Sequence, residues 1–251
     1  MAAAEPLPDS PRLYALVPCA GAGVRAGAAG PKQYARLAGK SMVVHTLDAL
    51  SRVDRLNATL VVLASSDTEF ERRAPAFTGW VARCGGHTRA HTVANGLDEL
   101  LSRGARPADW VLVHDAARCL LRPEWVDALI DACLDDDVGG LLAWPVADTL
   151  KQEVRGRVAQ TVDRGGKWAA QTPQMFRLGT LRQALAQAGP AVTDESSAIE
   201  ALGLSPLLVR GDARNFKVTW PQDFEWAQAQ LTRAAEASPP TPEINAKPPT
   251  Q

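Results

Sequence analysis

DWVLVHD, residues 109–115, decides the fold class. Its centre, Val111 to Val113, is a short unbroken apolar run bounded by polar residues, as a strand covered on both faces would be. Such strands belong to mostly parallel sheets, and parallel neighbours need long crossovers between them, usually helices. The flanking sequence supplies both. Working outward, short apolar runs (LYALVP from Leu13, ATLVVLA from Ala58, WVARC from Trp80, GGLLAWPV from Gly139) alternate with longer amphipathic ones (SMVVHTLDALSR from Ser41, TRAHTVANGLDELLSR from Thr88, PEWVDALIDACLDD from Pro123). The expectation is an α/β protein: one domain over residues 1–237, its mostly parallel sheet carrying helices on both faces.

In such sheets ligands sit beyond the carboxyl ends of the strands, and the unusual polar groups cluster there. They are the glycine loop after Val17, GGHTR after Cys84, HDAAR after Val113 and PVADT after Trp144. The first, VPCAGAGVRAGAAGPKQY (residues 17–34), holds Gly21, Gly23, Gly27 and Gly30 together with Arg25 and Lys32. Glycines let main-chain N–H groups approach an anion closely, so the loop reads as a phosphate cradle with two cations. It is neither of the two familiar versions. The spacing of Gly21, Gly23 and Gly27 misses the dinucleotide fingerprint, and Lys32 stands between Pro31 and Gln33 rather than in a Gly-Lys-Ser/Thr turn.

Composition narrows the functions. The 27 basic and 28 acidic residues nearly cancel, which removes the footprint of a general nucleic-acid binder and makes any anion site local. No apolar stretch is long enough to span a membrane, and the start MAAAEPLPDSPR is acidic and proline-rich, unlike a signal peptide. Cys19, Cys84, Cys119 and Cys133 form no C-x-x-C pair and lie in apolar segments, which fits reduced thiols and a cytoplasmic setting.

Two segments break the strand-helix rhythm. Val146 to Trp168 alternates, is strongly polar and centres on Gly156, so a hairpin arm is expected to leave the body over about 146–168. A two-stranded arm is marginal alone, which makes a second subunit its natural cover. The last stretch, 238–251, is Pro-rich and poor in large apolar residues, and is expected to be disordered. The aromatic residues Phe216, Trp220, Phe224 and Trp226 are expected to pack around the final helix.

Taken together, AGAGVR…PKQY, GGHTRAHTV, VLVHDAAR, DTLK, TVDR…W…QTPQMF, TDESSAIE and KVT resemble the 2-C-methyl-D-erythritol 4-phosphate cytidylyltransferase family, in family order from about residue 13 to 226. The resemblance implies a Rossmann-like nucleotidyltransferase domain, a homodimer exchanging β-arms, and CTP, a sugar-alcohol phosphate and Mg²⁺ as reactants and cofactor. A sibling acting on ribitol 5-phosphate shares the glycine loop and much of the site. This chain has Cys19 where the family usually has alanine and Cys119 where it usually has proline. His87 replaces a commoner acidic residue near the cytosine, a change that bears on base selectivity.

Joining CTP to a sugar phosphate needs no serine, cysteine or histidine nucleophile, because the attacking phosphate oxygen is already an anion. Catalysis reduces to positioning and to neutralising charge. Arg25 and Lys32 are expected at the α-phosphate and leaving group, a role the resemblance also implies. Arg164 and Lys217 match family residues that hold the acceptor phosphate, Arg164 reaching the other subunit's site; a salt bridge to Asp163 or Glu153 is its alternative. Substrate-binding roles are expected for Cys19, Ala20, Gly21 and Gly23 in the cradle and for Gly85, Gly86, His87, Arg89 and Thr92 in the second loop. Asp115, Arg118, Thr149 and Thr193 are expected on the acceptor side, although Asp115 and the threonines could instead cap turns or helices. The four-residue spacing of His87 and His91 is discounted as a zinc pair, since no third ligand accompanies it. The metal is expected to sit on phosphate oxygens, with no protein ligand named.

Overall fold

The computed structural model describes residues 10–21, 30–187 and 192–237. Gly23, Arg25 and the segment 238–251 lie outside the described residues. The chain runs β1 (Leu13–Cys19), a 3-10 turn (Lys32–Tyr34), β2 (Arg36–Leu37), β3 (Lys40–Ser41), α1 (Met42–Leu50), β4 (Ala58–Leu63), α2 (Phe70–Arg73), β5 (Trp80–Ala82), α3 (Arg89–Ser102) and β6 (Trp110–Val113). It continues through α4 (Pro123–Cys133), β7 (Gly139–Pro145), β8 (Leu150–Val154), β9 (Arg157–Val162), β10 (Trp168–Arg177), α5 (Leu178–Gln187), α6 (Glu195–Ala201), β11 (Leu207–Arg210) and α7 (Pro221–Ala237).

Seven strands form one sheet in the order β11-β7-β10-β6-β1-β4-β5. All neighbours are parallel except β10, which runs against both β6 and β7. Side chains of a strand alternate between faces, and here each face has its own helical layer. Ala15, Val17, Val61, Leu63 and Leu112 pack with α1 and α4, whereas Tyr14, Leu16, Leu60, Val62, Val111 and Val113 pack with α3, α5 and α6. Burial on both sides explains why the β6 run is apolar without interruption.

The sequence does not announce β10. WAAQTPQMFR carries Pro173 and two amide side chains, and proline cannot donate to a ladder. The strand accommodates it at a register shift against β7 between Ala170 and Gln174. Gln171, Thr172 and Gln174 are thereby buried at the crevice rather than in the apolar layers.

β8 and β9 form a separate two-stranded antiparallel sheet with Val154 and Val158 52% and 64% exposed. The expected aromatic packing at α7 holds only in part. Phe224, Ala227 and Leu231 share one face of the helix and join Val218 and Phe216, but Trp226 falls on another face and Trp220 precedes the helix. They are 62% and 55% exposed, with the Trp226 ring edge-on to Phe216. Among the described residues no helix is long and apolar enough to cross a membrane.

Candidate active site

β1 delivers Cys19, Ala20 and Gly21 to the carboxyl end of the sheet. The returning 3-10 turn is pinned on both sides. Gln33 donates its side-chain amide to the Cys19 carbonyl at 3.0 Å, and the Tyr34 hydroxyl donates to Asp67 Oδ2 at 2.6 Å. Lys32, the first residue of that turn, therefore has a fixed origin, and its Nζ donates to the Val218 carbonyl at 2.6 Å, next to Lys217. Burial pushes the Cys19 thiol up and keeps it protonated, so this residue serves the loop through its backbone.

The second loop is packed against the first. Gly85 donates its N–H to the Leu63 carbonyl at 2.8 Å, and a Cβ there would stand 2.3 Å from that of Ala20. Only glycine permits that approach. Gly86 donates to Thr92 Oγ1 at 3.1 Å, while Thr92 donates to the Thr88 carbonyl at 3.0 Å and Thr88 caps α3. The Thr92 hydroxyl thus shapes the loop from a buried position, and His87 stands exposed at its tip.

The crevice floor is ionic. Arg89, at the start of α3, donates Nη1 and Nη2 to the two oxygens of Glu195 at 2.6 and 2.9 Å and Nε to Asp115 Oδ1 at 2.7 Å. Asp115 Oδ2 pairs with Lys217 Nζ at 2.7 Å. Burial alone would raise the pKa of Asp115, but Arg89 and Lys217 hold it well below the usual carboxylate range. Burial would likewise lower Arg89, yet Glu195 and Asp115 raise it. Arg118 donates to the Asn215 and Ala170 carbonyls, and its Nε is a buried donor with no partner in this structure. Arg89, Asp115, Arg118, Thr193 and Lys217 line one cavity of about 200 Å³.

Comparison of the whole chain with known proteins gives the family. A family model for 2-C-methyl-D-erythritol 4-phosphate cytidylyltransferase matches residues 13–233. The chain belongs to that family. It is 61% identical over 233 residues to a bifunctional enzyme IspD/IspF of Albidiferax ferrireducens, covering 92% of this chain and 56% of that relative. It is 52% identical to a 2-C-methyl-D-erythritol 4-phosphate cytidylyltransferase of Paraburkholderia phytofirmans, covering 90% of this chain and 99% of the relative. A crystal structure of 4-diphosphocytidyl-2C-methyl-D-erythritol synthase superposes with a TM-score of 0.79 at 44% identity, over 88% of this chain and 98% of that one. The Francisella tularensis cytidylyltransferase superposes with a TM-score of 0.75 at 31% identity, over 88% of this chain and 100% of that one.

Not every residue expected from the cytidylyltransferase resemblance meets in the cavity. Arg164 lies exposed at the foot of the hairpin, where Nη1 donates to the Ala147 carbonyl, and Thr149 is exposed at the entry to β8. Neither lines the cavity that holds Lys217. Conversely, sequence reasoning passed over Glu195, Gln33, Thr172 and His114. Thr172 accepts the Asp115 N–H at 3.0 Å and meets His114 Nδ1 at 3.1 Å. Burial pushes His114 down to about 4, so it is neutral at pH 7. For His114 and Thr172 the available signal was a polar residue at the end of, or inside, an otherwise apolar or strand-like run.

Among the described residues no three His, Cys, Asp or Glu side chains group to hold an ion. The carboxylates lining the cavity are already engaged, Asp115 by cations and Asp194 by Gln174 and the α6 cap. A larger concavity, about 830 Å³, opens beside α1 and residues 74–80, but none of the expected cytidylyltransferase residues lines it and its Lys40, Arg72 and Arg73 are paired to Asp48 and Glu69.

Proposed function

We infer that the chain transfers the cytidylyl group of CTP to 2-C-methyl-D-erythritol 4-phosphate, giving 4-diphosphocytidyl-2-C-methyl-D-erythritol and pyrophosphate. The observation that carries this is the convergence of Arg89, Asp115, Arg118, Thr193 and Lys217 on one small cavity beside Lys32, in a chain matched to the family from 13 to 233. The ribitol 5-phosphate alternative is not favoured, because the family model and the named relatives specify methylerythritol phosphate.

An acceptor phosphate oxygen attacks the α-phosphorus, a new P–O bond forms, and the bond to the bridging oxygen breaks with its electron pair leaving on pyrophosphate. No proton need be removed from the attacker, which agrees with a neutral, fully bonded His114 and protonated thiols at Cys19 and Cys119. Lys32 and Arg25 neutralise charge growing on the α-phosphate and leaving group. Lys217 and Arg118 receive the acceptor, with Asp115 and Thr193 turned to its hydroxyls. Gly85, Gly86 and the loop shaped by Thr92 face the base; Mg²⁺, when bound with CTP, would offset phosphate charge, and no side chain of this chain is assigned to hold it.

Arg164 and Thr149 act from the arm of a second subunit, and the protein works as a cytoplasmic homodimer. Support comes from the exposed apolar side chains of the hairpin and from four free cysteines. With Mg²⁺ present, purified protein should release pyrophosphate from CTP on addition of methylerythritol phosphate. Equal or faster release with ribitol 5-phosphate would overturn the assignment.

A further inference from the structure

We propose that Glu195 is a positioning residue that keeps Lys217 correctly placed for the acceptor phosphate, acting through Arg89 and Asp115; this rests on the cytidylyl-transfer reading above. Allocation of the Arg89 donors decides where each carboxylate oxygen goes. Arg89 aims a terminal fork and Nε at two carboxylates. Glu195 occupies both fork nitrogens, at 2.6 and 2.9 Å, leaving Nε for Asp115 Oδ1 at 2.7 Å. Asp115 Oδ2 is consequently left for Lys217, at 2.7 Å.

Without the Glu195 carboxylate, the fork would turn to Asp115, the carboxylate already bound by Arg89 Nε. A guanidinium pairs with a carboxylate through two parallel hydrogen bonds where it can, and that pairing would occupy both Asp115 oxygens. Lys217 would then lose its anchor.

Glu195 is built to hold still. It is 1% exposed and opens α6, whose capping box is closed by Asp194 and Ser197. The Gln174 side chain of β10 braces that end, donating to Asp194 Oδ2 at 2.8 Å and accepting the Ser196 N–H at 2.7 Å. Both Glu195 oxygens are committed to Arg89, so its effect on substrate is indirect. Buried ion pairs can often be replaced by apolar residues without loss of stability, so stability alone does not account for a charged pair at this position.

The test is steady-state pyrophosphate release by wild type, Glu195→Gln and Glu195→Asp with each substrate varied in turn. Glu195→Gln should raise the acceptor KM about tenfold or more and leave the CTP KM within about twofold, because the two cations that shift, Arg89 and Lys217, both line the cavity assigned to the acceptor. Glu195→Asp, which keeps the charge on a shorter reach, should recover part of that loss. If Glu195→Gln does not fold, the same selective but smaller shift in Glu195→Asp carries the test. Unchanged acceptor KM, equal rises in both KM values, or failure of both variants to fold would overturn the role. An inactive wild type would instead overturn the functional reading on which the role depends.

Discussion

The crevice floor and the β8–β9 arm are opposite solutions to placing charge. In the crevice, Arg89, Asp115, Glu195 and Lys217 come from four distant parts of the chain, and the two carboxylates, 10% and 1% exposed, are fully paired. The arm is local, connected by a tight turn, and among the described residues its two strands pair with each other, so Arg164 at its foot is exposed. Charges inside the fold are positioned by the chain that carries them, whereas the arm needs another surface to give its arginine a defined place.

The strongest way to break that contrast is to unbalance the floor. Asp115→Asn leaves Arg89 and Lys217 without their shared carboxylate and should cost about 3–5 kcal/mol of stability, read by chemical denaturation. A loss under about 1 kcal/mol would mean the floor is no more constrained than a surface pair. Next in size is Lys32→Ala. It should lower turnover roughly 100- to 1000-fold while the cooperative unfolding transition remains, because its ammonium acts on developing charge. Unchanged turnover would remove Lys32 from the catalytic set.

A third effect concerns pH. His114 is pushed down to about 4 by burial, against about 6.5 for an ordinary histidine. Between those values the unfolded chain binds a proton that the folded chain refuses, so stability falls as pH drops through that window, and His45, also lowered by burial, acts in the same direction. Stability at pH 5 should be about 2 kcal/mol below that at pH 7.5, with a smaller difference in His114→Gln. An identical pH dependence in the variant would exclude His114 as its source. Smallest of all is the stability change in Arg164→Ala, expected within about 0.5 kcal/mol although turnover falls. A large stability loss there would make the arm arginine a structural group after all.

What could be read from sequence follows the same division. Continuous apolar strands such as Val111 to Val113 and the glycine pair at Gly85 and Gly86 are local signals, and local physics gives them one meaning. β10 escaped because Pro173 and its amides contradict a strand pattern until the register shift that accommodates them is seen. Glu195 escaped for a different reason. Its partner Arg89 lies 106 residues away, and a glutamate opening a helix is ordinarily a solvated helix-dipole residue. Trp220 and Trp226 were misplaced because hydrophobicity says what can be buried, not which face of α7 meets the core.

In the proposed function the crevice of one chain is completed by the arm of another. Inactive Arg164→Ala chains mixed with inactive Lys32→Ala chains, under conditions that exchange subunits, would form heterodimers in which one of the two sites has both native residues. Simple counting from a shared interface gives up to about half the native activity per heterodimer. Had both residues come from one chain, every site would keep one defect, so no recovery despite verified exchange would contradict the shared site.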